Sequence, residues 1–181
     1  MRLLKHHEKK LLRKVNFFNW SPHNNREVEV MRRYHLQDRE DYTKYNKLCG
    51  YITKLVALLR TLKPDDPFRI SMTEQLIGKL YDLGVLNQKK SLVQCEQLAA
   101  STFCRRRLPV ILVKLHLAST VKDAVRFIEQ GHIRVGPQVV TDPAFHVTRS
   151  SEDFVTWAKD SSIRRKVLKY NDKLDDYDFT S

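Results

Sequence analysis

The clearest hydrophobic pattern lies between residues 38 and 62, where Tyr45, Leu48, Cys49, Ile52, Leu55, Val56, Leu59 and Leu62 recur at steps of three and four. That spacing winds one apolar stripe along an α-helix and predicts a long helix with the stripe turned to a core. Pro64 and Pro67 stop it, because proline has no amide to donate and disfavours helical backbone just before itself. Met72, Leu76, Leu80 and Leu83 predict a second helix, with Gly84 as its C-terminal cap. Upstream, Leu4, Leu11, Leu12 and Val15 share a helical face within residues 1–20. Phe17, Phe18 and Trp20 close that segment, and Ser21-Pro22-His23-Asn24-Asn25 breaks it. Across residues 85–104 the pattern is weaker. Leu92, Val93 and Cys95 read as a short extended piece, and Leu98 to Phe103 lead into the next helix.

From residue 105 the pattern becomes that of a small compact unit. Pro109 suits a first helical turn, where its missing amide costs nothing, and Leu108, Ile111, Leu112 and Leu115 form one stripe. Thr120 and Asp123 have the spacing of a capping box, and Val121, Ala124, Val125 and Ile128 make the stripe of the helix that follows. Gly131 ends it. Ile133 and Val135 then alternate with Arg134, as a half-buried strand requires, Gly136-Pro137-Gln138 turns, and Val139 and Val140 return. Beyond this unit, Ile163–Tyr170 reads as a helix with Val167 and Leu168 inside, serving as core or as a face for a protein partner together with Trp157. The expected fold class is α+β and mainly helical. Residues 1–104 form a basic helical N-terminal region, residues 105–149 a unit of two helices and a β-hairpin, and residues 150–181 a C-terminal extension with an acidic tail.

Charge changes this picture. In 181 residues, 33 Lys and Arg outweigh 21 Asp and Glu, for a formal charge of +12. A polyanion is the leading partner, since every neutralised phosphate releases condensed counterions. The cations fall in order: Arg105, Arg106 and Arg107 enter the first helix of the unit, and Lys122 and Arg126 lie one turn apart on the second. Ser119 and Thr120 stand at the second helix's N-terminus, where free amides favour a phosphate. His132 and Arg134, two apart on a strand, point the same way. Lys5, Lys9, Lys10, Arg13 and Lys14 surround the apolar face of the N-terminal segment and make it a second candidate RNA-binding arm.

The remaining composition excludes more than it adds. Cys49, Cys95 and Cys104 are odd in number and widely spaced, so they give neither a disulfide framework nor a zinc pattern. Reduced thiols in an intracellular compartment are expected. The start of the chain lacks the apolar run of a signal peptide, and the aliphatic runs Leu55–Leu59 and Val110–Val113 are too short to span a bilayer. No phosphate-loop glycine pattern or metal set occurs, and Asp65-Asp66 reads as turn and helix-start chemistry. The expectation is a non-enzyme without cofactor, metal or small-molecule substrate.

Arg105-Arg-Arg-Leu-Pro, Ala118-Ser-Thr, Ala124-Val-Arg-Phe-Ile-Glu-Gln-Gly-His-Ile-Arg-Val-Gly and Val140-Thr-Asp-Pro-Ala-Phe-His-Val resemble the alpha-L RNA-binding motif, typified by small-subunit ribosomal protein S4. Lys5-His-His-Glu-Lys-Lys-Leu-Leu, Tyr34-His-Leu-Gln-Asp-Arg-Glu-Asp-Tyr, Glu152-Asp-Phe-Val-Thr-Trp and Asp175-Asp-Tyr-Asp-Phe are similar to a eukaryotic branch of that family belonging to the U3 small nucleolar ribonucleoprotein. The resemblance implies a nucleolar protein of the small-subunit processome. Such a protein promotes pairing of U3 small nucleolar RNA with pre-ribosomal RNA for early processing to eighteen-S rRNA. It also implies an M-phase phosphoprotein scaffold and other processome proteins as partners. Pro137 departs from the wider motif, whose hairpin turn more often carries Asn, Gly or Lys. Two alternatives stay open: an S4-like permanent component of the small subunit, and a protein-interaction module.

Overall fold

The computed structural model describes residues 2–14, 25–89 and 91–173, with Lys14 described by its backbone. The fold is α+β and mainly helical. After α1 (His6–Lys14) come α2 (Asn25–Tyr34), α3 (Arg39–Thr61) and α4 (Pro67–Asp82). Two single-turn helices follow, α5 (Leu92–Glu96) and α6 (Ala100–Cys104), and then α7 (Leu108–Lys114) and α8 (Val121–Glu129). The chain closes with β1 (Ile133–Val135), β2 (Gln138–Val139), α9 (Arg149–Glu152), β3 (Val155–Trp157) and α10 (Ser162–Tyr170).

Much of the periodic reading holds. The long stripe becomes α3, and Tyr45, Cys49, Ile52, Val56 and Leu59 are buried on it. Pro67 opens α4, with the Asp66 carboxylate accepting from the Phe68 amide as an N-cap. Thr120 caps α8 by accepting from the Asp123 amide at 3.1 Å. Other expectations change. Leu92–Cys95 is helical rather than extended, so that Cys95 can sit fully buried against α3. Leu48 and Leu83 lie on their stripes yet are exposed. Both line an open apolar groove of about 520 Å³ with Tyr45, Tyr51, Phe103 and His146. The expected hairpin gains a third strand from beyond residue 149, giving an antiparallel sheet in the order β2-β1-β3 with Arg134 paired to both Val139 and Thr156. Trp157 lies in that strand and meets Phe127 of α8 edge-on. The expectations for Val15, Phe17, Phe18, Trp20, residues 21–24, Asp175, Asp176 and Asp178 fall outside the described residues.

Two apolar cores result. One joins α2 to α6 around Val56, Cys95, Phe103 and Cys104, and the other joins α7, α8 and the sheet around Leu108, Ile111, Leu112, Ile128, Ile133 and Val147. Arginines stitch the cores together. Arg107 reaches Asp41 of α3 at 2.7 Å and the Tyr45 hydroxyl at 3.2 Å. Arg149 donates to the carbonyls of Tyr81 and Leu86 at the end of α4 and lies over the Tyr81 ring. Gly84 turns the chain there with φ of +75°, and a Cβ at that position would lie 2.6 Å from the Arg106 guanidinium. Glycine is needed for both reasons.

Candidate nucleic-acid interface

The triple arginine splits three ways, because residues 104–107 pass from α6 through a tight turn into α7 and each side chain leaves in a different direction. Arg105 stays exposed, and its Nε donates to the hydroxyl of Tyr34 at 3.2 Å. Arg106 is 8% exposed. Its Nε and Nη2 donate to the Val147 carbonyl at 3.0 and 2.7 Å, and its Nη1 meets Glu152 at 2.8 Å. Arg107 is 2% exposed and held by Asp41 and Tyr45. The expectation that all three face RNA is therefore corrected. Arg106 and Arg107 are bound internally, because buried guanidinium groups need full pairing, and Arg105 alone of the three keeps donors for an outside ligand.

The other expected contacts divide in the same way. Lys122 and Arg126 are exposed on α8, one turn apart. Ser119 and Thr120 are exposed, but both hydroxyls donate to the Asp123 carboxylate, at 3.4 and 2.6 Å. The N-terminus of α8 thus already holds an anion of its own. The hydrogen bond from Thr120 keeps the Asp123 carboxyl below its ordinary range, with help from Ser119, Arg126 and Lys122. His132 and Arg134 do lean the same way, toward residues 157–161. The His132 Nδ1 lies 3.1 Å from the Ser161 hydroxyl, and the Arg134 Nε donates to the Trp157 carbonyl at 3.2 Å. Arg134 also donates to the Gly136 carbonyl at 3.4 Å, which fixes its guanidinium on the sheet while leaving it half-buried.

On the arm, Lys5, Lys9, Lys10 and Arg13 are exposed, and so are Leu11 and Leu12. The helix begins at a local lock, in which the Glu8 carboxylate accepts from the Lys5 amide at 2.9 Å and from Arg2 at 2.6 Å. Lys14 is helical by its backbone.

Sequence reasoning missed α2 altogether, and with it three exposed arginines, Arg26, Arg32 and Arg33. Arg26 and Arg33 border a cleft with Arg105 and Tyr34. The signal was present, since Val30, Met31 and Tyr34 follow helical spacing and pack on the first core. It was hidden by the short run and its polar neighbours.

Buried groups elsewhere are structural. Burial pushes the Cys104 thiol up to about 11 and raises the thiols of Cys49 and Cys95 as well, so all three rest as neutral, unreactive thiols. Burial, and then the neighbouring Arg107 charge, hold His146 below its ordinary value. Its Nε2 lies 3.0 Å from the Tyr45 hydroxyl. Among the described residues no group of His, Cys, Asp or Glu is arranged to hold a metal ion, and no helix is long and apolar enough to cross a membrane.

Comparison with known proteins finds two family matches along the chain. Residues 3–103 match the ribosomal protein S4/S9 N-terminal domain family, and residues 106–153 match the S4 domain family. The chain is 53% identical over 180 residues to the mouse U3 small nucleolar ribonucleoprotein protein IMP3, covering 98% of each chain. To the protein of that name from Saccharomyces cerevisiae it is 50% identical over 182 residues, covering 99% of this chain and 100% of the other. The small ribosomal subunit protein uS4 of Picrophilus torridus is more distant, at 35% identity over 136 residues, 75% of this chain and 74% of the other. Matched along nearly its whole length, the chain belongs to the family of the U3 small nucleolar ribonucleoprotein protein IMP3, within the wider ribosomal protein S4 family.

Proposed function

We propose that the protein is a non-catalytic RNA-binding component of the U3 small nucleolar ribonucleoprotein. It acts in the nucleolus, within the small-subunit processome, to hold U3 small nucleolar RNA against pre-ribosomal RNA for the early steps toward eighteen-S rRNA. The observation that carries this reading is full-length identity of half or more to proteins of that particle, on a chain with a formal charge of +12. In this reading residues 105–149 form the central RNA-binding unit, residues 1–104 supply a basic helical body and arm, and residues 150–181 extend the unit. Arg105, Lys122, Arg126, His132 and Arg134 supply donors to the phosphate backbone, with Lys5, Lys9, Lys10, Arg13 and Lys14 tracking it from the arm. Ser119 and Thr120 contribute chiefly by fixing α8 through Asp123. The M-phase phosphoprotein scaffold and other processome proteins complete the set of partners.

Backbone contacts of this kind position RNA without reading its sequence, which suits a protein that brings two RNAs into register. Crosslinking the protein to RNA in cells and sequencing the attached fragments tests the proposal. Fragments from U3 small nucleolar RNA and from precursor rRNA are expected, with the protein sedimenting among large precursor particles. Fragments confined to mature small-subunit rRNA, with the protein in finished subunits, would establish the permanent S4-like component instead.

A further inference from the structure

We infer that the cleft between α2 and α6 is a phosphate seat for an RNA chain, built by Arg26, Arg33 and Arg105 with Tyr34 as a positioning residue. The inference deepens the RNA-binding reading and rests on it. Arg26 and Arg33 are seven residues apart, two turns of helix, so they share one face of α2. The fold brings that face against Arg105 around a cavity of about 180 Å³ that Glu29 and Ser101 also line. Three guanidinium groups against one carboxylate leave the cleft at a formal 3 − 1 = +2.

Each arginine is available in a different way. Arg26 is exposed on the first turn of α2. Arg33 lies 3.5 Å from Glu29, but both side chains are about two-thirds exposed, at 66% and 68%. A contact of that kind contributes little in water and yields readily to a phosphate. Arg105 is pre-aimed. Its Nε is bonded to the hydroxyl of Tyr34, a side chain only 8% exposed and fixed in the first core, so the two terminal nitrogens remain to grip an anion as a fork.

The chemistry of the cleft favours a phosphodiester over other acidic ligands. Its volume falls below the roughly 300–1,000 Å³ of pockets that enclose a small molecule. Its walls are mainly polar, so a peptide would find little to anchor an apolar side chain there. Fork-shaped donors match the paired oxygens of a phosphate, and Arg105 stands immediately before the S4 unit, whose match begins at residue 106.

The test uses the full chain and a fluorescein-labelled RNA hairpin with single-stranded flanks, titrated by anisotropy across a series of salt concentrations. The double variant Arg26→Gln/Arg33→Gln is compared with Lys54→Gln/Lys63→Gln, which removes equal charge from exposed positions on and just beyond α3. The arginine pair should weaken binding about tenfold and lower the log–log salt slope by about one to two, while the lysine pair changes affinity about twofold. Tyr34→Phe keeps every charge and frees Arg105, and should weaken binding about threefold with an unchanged salt slope. Equal affinities for the arginine and lysine pairs would overturn the assignment while leaving RNA binding by the chain intact. An unmodified protein that fails to bind the hairpin at any salt would instead bring down the RNA-binding reading itself. Loss of binding to labelled polyglutamate, with RNA binding unchanged, would reassign the cleft to an acidic protein segment.

Discussion

Arg107→Met is the sharpest perturbation of the arginine triplet, because it opposes a stability role to an RNA-contact role at one side chain. Methionine keeps much of the volume and removes the charge. Left behind are the Asp41 carboxylate, with 15% of its side chain exposed, and the Tyr45 hydroxyl. Breaking a fully buried pair costs about 3–5 kcal/mol. Here Asp41 keeps some water and Lys44 at 3.6 Å, and Tyr45 keeps His146 at 3.0 Å, so the cost falls to about 2–3 kcal/mol. For a chain of this length that is a drop in Tm of about 5–10 °C. Urea and thermal unfolding followed by circular dichroism measure it, and RNA affinity is then measured well below both midpoints. The variant should bind RNA within about twofold of the parent, since the removed charge is internal. Asp41→Leu combined with Arg107→Met should recover more than half of the lost stability, because replacing both members of a buried pair leaves no orphaned charge. A variant that melts like its parent yet binds RNA tenfold more weakly would refute the reasoning and return Arg107 to the RNA surface.

Three further outcomes follow from the same geometry. His146 is held neutral below its ordinary value of 6.5, so the unfolded chain takes up its proton first. The associated stability is whole above about pH 6.5 and declines as pH falls toward the folded value; urea midpoints from about pH 7.5 to about pH 5.5 should show this, and His146→Gln should flatten it. Gly84→Ala must hold φ of +75° and displace a guanidinium clamped by Val147 and Glu152; it should cost about 2–4 kcal/mol in urea unfolding, and a cost under about 0.5 kcal/mol would mean that Arg106 swings aside freely. Deleting residues 1–20 should weaken RNA binding severalfold and lower the salt slope while leaving the Tm of the remainder within about 3 °C, as α1 carries exposed cations and exposed leucines; an unchanged affinity would reduce the arm to a protein contact.

The helices were legible in the sequence wherever an apolar stripe ran for several turns. Alpha3 and α4 emerged from their stripes, and the α7–α8 pair from Pro109 and the Thr120–Asp123 spacing, whereas Pro67, read as a stop for α3, opens α4. The third strand was not legible. Val155, Thr156 and Trp157 are too few to show alternation, and their partner is β1, more than twenty residues earlier. The fate of the arginines was hidden for a different reason. A run of three cations looks the same whether it faces solvent or carboxylates, and Asp41 and Glu152 lie 66 and 46 residues from their guanidinium partners. Only the fold shows that two of the three charges are already matched.

The long reach of those pairs also sets an order of events as the chain is made. Asp41 is synthesised well before Arg107 can meet it, and the carbonyls of Tyr81 and Leu86 wait for Arg149. Glu152, which closes on both Arg106 and Lys114, comes later still. An emerging N-terminal half therefore carries Asp41 with the exposed Lys44 beside it, at 3.6 Å, and a Leu86 carbonyl not yet met by Arg149. Nascent chains fold from the N-terminus as they emerge, and here the buried residues of the first core end at Cys104, while its polar ties to Arg107 and Arg149 form only afterwards. A chain stalled before residue 152 leaves Arg106 and Lys114 without the carboxylate they share, on a body that is already strongly basic.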